Sequence, residues 1–315
     1  MQKQTITILS AGLMLTTVCN MPVFAAESST SATDELWVAP TIVYGGALSE
    51  SERNQVVAKL GADRSKLTEL KTEGTDVDKY LGTNGVSTSS LISCVEVTKE
   101  RKGHGVQVNI VEPKNITRVT DTQYANAAIT AGVSDVQIDV IALTPATGES
   151  ALTGVYKALE GNGVKVDTER SQVAQDELET TNDIAQKYSN QEDFNTHNLD
   201  QALIDIKTNL ADLKHDQGSK ATAQQVQEIV EASLEKYGLN NILSQDDINR
   251  LIQFAGKYQN SSAIDSKEVV EQLKQLSNGI KDFVDTGKMQ GWLDKFVEWF
   301  KGLFGWFSDS LHQQG

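Results

Sequence analysis

The hydrophobic pattern of this chain changes period once, near Gly163, and that change limits the possible folds more than any other feature. Upstream, apolar residues alternate or form short β-rich runs, as in "SLISCVEVT", "GVQVNIV" and "DVQIDVIAL". Downstream they recur by threes and fours: Leu199, Leu203, Ile206, Leu210 and Leu213 in one segment, Val269, Leu273, Leu276, Ile280 and Phe283 in another. A period near two sets one face of a strand against a core, and a period near 3.6 does the same for one stripe of a helix. The sequence therefore predicts an α+β protein, with a small α/β sandwich over residues 39–163 followed by an all-α helical domain over 164–286.

Within the first part, "LWVAPTIVYGG" reads as a strand and "LSESERNQVVAKLG" as a helix, with Ser49 and Glu52 forming a capping box and Gly61 ending it. The charged, glycine-punctuated stretch from Ala62 to Gly85 holds one short helix at "DVDKYLG". The connector "KERKGHG" between two β-rich runs predicts an antiparallel hairpin, with His104 a solvated loop residue at its tip. Helices follow at "TDTQYANAAITAG", ended by Gly132, and at "GESALTGVYKALEG", with the strand "DVQIDVIAL" between them. That order packs most simply as a mixed sheet with helices on one or both faces. In the second part, "QQVQEIVEASLEKY" and "DDINRLIQFAGKY" join the two periodic segments to give four or five antiparallel helices.

Residues 1–26 read as a signal peptide: Lys3, then the apolar run "ITILSAGLMLTTV", then "VFAA". The run is shorter than the ~20 residues that span a bilayer. Val18 stands before Cys19 where a lipid-attachment site needs a small residue, so lipidation is not expected. Residues 27–38 form a polar leader. The expected location is extracellular, in the medium or at the cell envelope. Without Cys19, Cys94 is the one thiol left, so stability must come from packing and not from an intramolecular disulfide. Nothing in "LISCVEV" supplies the positive neighbours of a reactive cysteine, and Cys94 reads as a small apolar strand residue.

The formal net charge of -15 repels nucleic acid, anionic headgroups and anionic wall polymers. Nucleic acid is therefore excluded as a partner, and retention at an envelope would need apolar contact or specific recognition. The sequence carries no "HExxH", zinc-type cysteine pair, "GxSxG" elbow, phosphate loop or calcium-loop signature, so neither a metal nor a cofactor is expected. The best candidate ligand site is "TPATGESALTG", which follows a strand and opens a helix, where free backbone N–H groups hold an anion or a carbonyl. Thr144, Thr147 and Ser150 add hydroxyls, and Gly148 lets a ligand approach the backbone. The plainer alternative is a strand-to-helix loop with Ser or Thr as its cap.

Together "VYGGALSESE", "NITRVTDTQYANAAITAGVSDVQI" and "TPATGESALTGVYKALE" resemble a YpuA-like family of secreted proteins of Gram-positive bacteria, the domain of unknown function numbered one thousand and two. The resemblance runs from about Val43 to Phe283 and departs from the family's pattern at Ala47. It implies export and an envelope context, brings no catalytic residues, and directs attention to the Tyr124 helix beside the Pro145 loop. Asn126 in that helix is either a cap partner or buried hydrogen-bond donor, or a ligand contact.

The end of the chain, residues 287–315, is an amphipathic aromatic helix by pattern. Trp292, Phe296, Trp299, Phe300, Leu303, Trp306 and Phe307 fall on one broad arc. Such a helix is stable only when docked, and three surfaces could receive it: the helical domain, another copy of the chain, or a lipid interface. Asp294, Glu298 and Asp309 outnumber Lys295 and Lys301, so charge does not draw it to anionic lipid. The sequence thus points to a non-enzymatic envelope protein that binds an envelope ligand or partner and docks this helix on membrane or protein. The alternative is an envelope-acting hydrolase or transferase with its site at the 144–150 loop and Asp139 or Glu149 as a carboxylate.

Overall fold

The computed structural model describes Trp37 and residues 39–281. Residues 1–26, expected to be a signal peptide, the leader apart from Trp37, and the aromatic segment with Trp292, Phe296, Trp299, Phe300, Leu303, Trp306 and Phe307 lie outside the described residues. Strands β1 (Thr41–Gly45), β2 (Thr68–Thr72), β3 (Ser93–Lys99), β4 (Val106–Ile110) and β5 (Val136–Ala142) form one sheet in the order β2-β1-β3-β5-β4. The sheet is mixed: β1 is parallel to β2, β3 is antiparallel to both β1 and β5, and β4 is parallel to β5. The α+β class read from the sequence is the one observed.

The hairpin is not formed, and the reason lies in burial. Strand β5 carries Val136, Ile138, Val140 and Ile141, all buried, and takes the place between β3 and β4. The sequence VQVNI of β4 leaves Gln107 and Asn109 exposed, which suits an edge. Lys99 at the end of β3 and Val106 at the start of β4 both face Val136, so residues 100–105 cross over one strand. Asp135 secures the crossing: its carboxylate accepts the N–H groups of Gly103 and Gly105, each at 2.9 Å, and its carbonyl accepts that of Glu100 at 2.8 Å. His104 is accordingly a half-buried residue of a crossover. Strand β2 was also not anticipated, because TELKT is an edge strand with one apolar residue and no alternating stripe.

Helix α1 (Glu50–Leu60) has the expected capping box between Ser49 and Glu52 and ends at Gly61. Its Val56 and Val57 cover Ile42, Tyr44, Cys94 and Ile141 on one face of the sheet. On the opposite face Val43, Val95, Val97, Ile138 and Val140 meet α2 (Gly74–Leu81), α3 (Asp121–Ala131) and α4 (Ala151–Gly161). The "VYGG" turn is tight because a Cβ on Gly45 would lie 2.4 Å from the carbonyl oxygen of Leu91, the group that accepts the Ala47 N–H at 3.0 Å.

The helices that follow are α5 (Thr168–Tyr188), α6 (Thr196–Gln217), α7 (Ala223–Lys236), α8 (Gln245–Asn260) and α9 (Lys267–Lys281). One apolar core lies among α5 to α8, around Leu203, Leu210, Ile229, Leu251 and Phe254. Ala174 and Leu178 of α5, Ile204 of α6, and Val269 and Leu273 of α9 belong instead to the core beneath the sheet. At ~1.5–3 kcal/mol for each large apolar side chain removed from water, those contacts hold the helices to the α/β layers by several kcal/mol gross.

Candidate functional site

The loop from Leu143 to Ser150 joins β5 to α4, and neighbouring chain fixes its backbone. Ala146 N–H donates to the Asn115 carbonyl at 2.8 Å, and the Ala146 carbonyl accepts from Thr117 N–H at 2.9 Å. The Asn115 side-chain amide donates to the Ala142 carbonyl at 2.8 Å. Tyr124 reaches from α3 and donates its hydroxyl to the Gly148 carbonyl at 2.5 Å. Gly148 has φ +95°, and a Cβ there would lie 2.4 Å from Tyr124 Oη and 2.8 Å from Ile116 Cγ2. The close approach that Gly148 permits is thus made by Tyr124 of the same chain. Burial, then the nearby Glu149 charge, push the Tyr124 phenol well above its ordinary pKa, so it stays a donor.

Ser150 sits at the start of α4 but makes no side-chain cap; its hydroxyl pairs with Ser93 at 2.9 Å. Thr144, Pro145 and Thr147 are exposed on top of this fixed backbone. The Glu149 carboxylate lies 3.3 Å from Arg118 Nη1 and accepts from the Asn182 amide at 2.9 Å. Tyr124, Gly148 and Ser150 are therefore gathered in one place, with Thr144 and Thr147 at its surface.

Asn126 lies elsewhere. Two residues beyond Tyr124, it is turned by roughly 200° around the helix and faces α5 and α6 instead of the loop. There its Oδ1 accepts from Lys207 Nζ at 3.1 Å. Lys207 also donates to Glu177 Oε1 at 2.6 Å and to Thr130 Oγ1 at 3.2 Å, while Thr130 donates to Glu177 Oε2 at 2.5 Å. The ion pair is sealed, with the Lys207 side chain 0% and that of Glu177 1% exposed. Two charges this deep are tolerated only with close contact and satisfied hydrogen bonds, and both conditions are met. Burial pulls the Lys207 ammonium below its ordinary pKa, and the Glu177 carboxylate opposes that pull. Sequence reading missed this cluster, although one signal was present: Lys207 falls four residues after Leu203 and three before Leu210, inside the apolar stripe of α6.

On the α1 side of the sheet, the part that α1 leaves uncovered carries a polar row in which Glu96 of β3 stands opposite Asp139 of β5. Asp139 accepts from the Asn109 amide at 2.7 Å, while burial and then the Asp139 charge raise the pKa of Glu96. This row lies on a different element face from the 144–150 loop. Among the described residues no group of three or more His, Cys, Asp or Glu is placed to hold a metal ion. A hollow of about 470 Å³ lies between α6 and α9, with Ala211, Ile264 and Val270 among its walls and Lys214, Lys267 and Lys274 beside them. Among the described residues no helix is long and apolar enough to cross a membrane.

These features define a class: an α+β protein whose mixed sheet shares its core with following helices, with a hydrogen-bonded strand-to-helix loop on one side and a sealed ion pair between helices. The chain belongs to the family described as "Protein of unknown function (DUF1002)", whose model matches residues 44–276. It is 28% identical over 267 residues to the uncharacterized protein YpuA of Bacillus subtilis (strain 168), covering 84% of this chain and 86% of that one. No solved structure matches it.

Proposed function

We propose that this is an exported, non-enzymatic protein of a Gram-positive cell envelope that binds an envelope component through the exposed edge of the 144–150 loop. The observation that carries this reading is the combination at that loop of a fixed backbone and exposed hydroxyls. Thr144 and Thr147 stand exposed beside Pro145, while Asn115, Thr117 and Tyr124 hold the residues beneath them. A binding edge ordered before the ligand arrives loses little conformational entropy on association. Carboxylate chemistry at the loop is less favoured, because Glu149 is held by Arg118 and Asn182.

The aromatic segment from Trp292 to Phe307 supplies a second contact in this proposal, with a lipid surface. The test is co-sedimentation of the chain lacking residues 1–26 with purified wall fragments, and flotation with lipid vesicles, beside a chain that also ends at Gly291. The proposal expects both chains to sediment with wall fragments and only the longer one to float. Failure of both to bind wall or vesicle would overturn it.

A further inference from the structure

The Lys207–Glu177 pair has a buried neighbour that is not satisfied. Asp200 lies on the same face of α6, seven residues before Lys207, and is 1% exposed. Neither of its carboxylate oxygens has a hydrogen-bond partner. The groups acting on it are Asp121 at the start of α3, Glu177 of α5, and Lys207 on its own helix. Two of these three are acidic, and the one cation is already in contact with Glu177 at 2.6 Å. An ionised Asp200 would leave this closed region with two carboxylates against one ammonium. Burying an unpaired charge is so unfavourable that such a group takes up a proton instead.

The surroundings explain why a proton is the simplest solution. The side-chain NH2 group of Asn126 on α3 has no partner among the described residues, and its carbonyl oxygen is taken by Lys207. The adjacent Gln201 ties α6 to α9, accepting from Ser277 Oγ at 2.9 Å and donating to the Ser277 carbonyl at 3.0 Å. The first half of α6 is therefore held against α9 by Gln201 together with the apolar core that Ile204 shares with Val269 and Leu273, while Lys207 at the middle of the helix ties it to α3 and α5 through the polar cluster. The carboxyl group without a partner sits at that junction.

We propose that Asp200 is a proton-operated lock, in which the first half of α6 lies closed on α3 and α5 only while Asp200 carries a proton. The sign follows from linkage. A carboxyl group that binds its proton more tightly in the folded state than in the unfolded state adds stability fully at a pH below the unfolded value, about 3.9. That contribution is lost as pH rises above it and through the folded value. Within that window the folding equilibrium falls by up to tenfold per pH unit, about 1.4 kcal/mol. Raising the pH therefore loosens this junction, and lowering it tightens it.

The experiment follows chemical unfolding of the chain lacking residues 1–26 from pH 4 to pH 8, for the natural sequence and for Asp200→Asn. Each is also examined by infrared spectroscopy for the carbonyl band of a protonated carboxyl group at neutral pH. The proposal expects the natural chain to lose stability relative to Asp200→Asn as pH rises, and expects a protonated-carboxyl band that Asp200→Asn lacks. Parallel pH curves for the two chains would overturn it. If Asp200→Asn does not fold, the infrared spectrum of the natural chain decides: a protonated band that fades together with amide protection of residues 196–207 supports the lock, and its absence at every pH where the chain is folded refutes it.

Discussion

Replacing Gly148 with alanine tests the closure of the 144–150 loop more sharply than any change to its hydroxyls. A Cβ at this position would lie 2.4 Å from Tyr124 Oη and 2.8 Å from Ile116 Cγ2, on a backbone with φ +95°. The left-handed backbone alone costs an alanine about 1–2 kcal/mol. Displacing the tyrosine hydroxyl removes its bond to the Gly148 carbonyl, about 1 kcal/mol, and crowding a packed site adds about 1–3 kcal/mol. The expected loss is thus about 3–6 kcal/mol, and at about 2–4 °C per kcal/mol for a chain of this size the thermal midpoint falls by on the order of 10 °C. The assay is thermal and urea unfolding followed by far-UV circular dichroism, on Gly148→Ala in two backgrounds. In Tyr124→Phe the hydroxyl is gone and the nearest ring atom, Cζ, is 3.6 Å away, so the alanine should cost about 1–2 kcal/mol less there. An equal cost in both backgrounds would refute the idea that the glycine exists to admit Tyr124.

Two further outcomes follow from buried groups. Lys207→Met leaves Glu177 as an unpaired buried charge and should cost about 3–5 kcal/mol, of which adding Glu177→Gln recovers a part; urea midpoints of the three chains measure both effects. Cys94 is buried and its thiol is pushed up to about 11, first by desolvation, so at pH 8 a thiol reagent should leave the folded chain unlabelled and label it fully in denaturant; rapid labelling of the folded chain would contradict the buried strand position.

Much of the fold was legible because local signals agreed with tertiary burial. Ser49, Glu52 and Gly61 mark α1 by capping chemistry alone, and the threes-and-fours spacing from Leu199 to Leu213 marks α6. The hairpin failed because sequence adjacency says nothing of which strand is most buried, and β5 outcompetes β4 for the place beside β3. Strand β2 escaped notice because an edge strand needs few apolar residues. At the loop, the residue types were visible but not the roles. Gly148 promised room for a ligand, and that room is filled by Tyr124, which lies 24 residues earlier in sequence. Asn126 is buried as anticipated, but it accepts through Oδ1 and its NH2 group donates to nothing among the described residues; its partner Lys207 is 81 residues away and could not be inferred from helix α3.

The most direct test of the account is binding of purified wall fragments by the chain lacking residues 1–26, set against Thr144→Ala/Thr147→Ala. Both threonines are exposed, so the double variant should keep its thermal midpoint within a degree or two, as surface substitutions do. If the loop edge is the binding surface, the variant loses at least tenfold in affinity while its unfolding curve is unchanged. If both chains bind wall fragments equally, or neither binds, the 144–150 loop is only a well-fixed connection and the central claim is wrong.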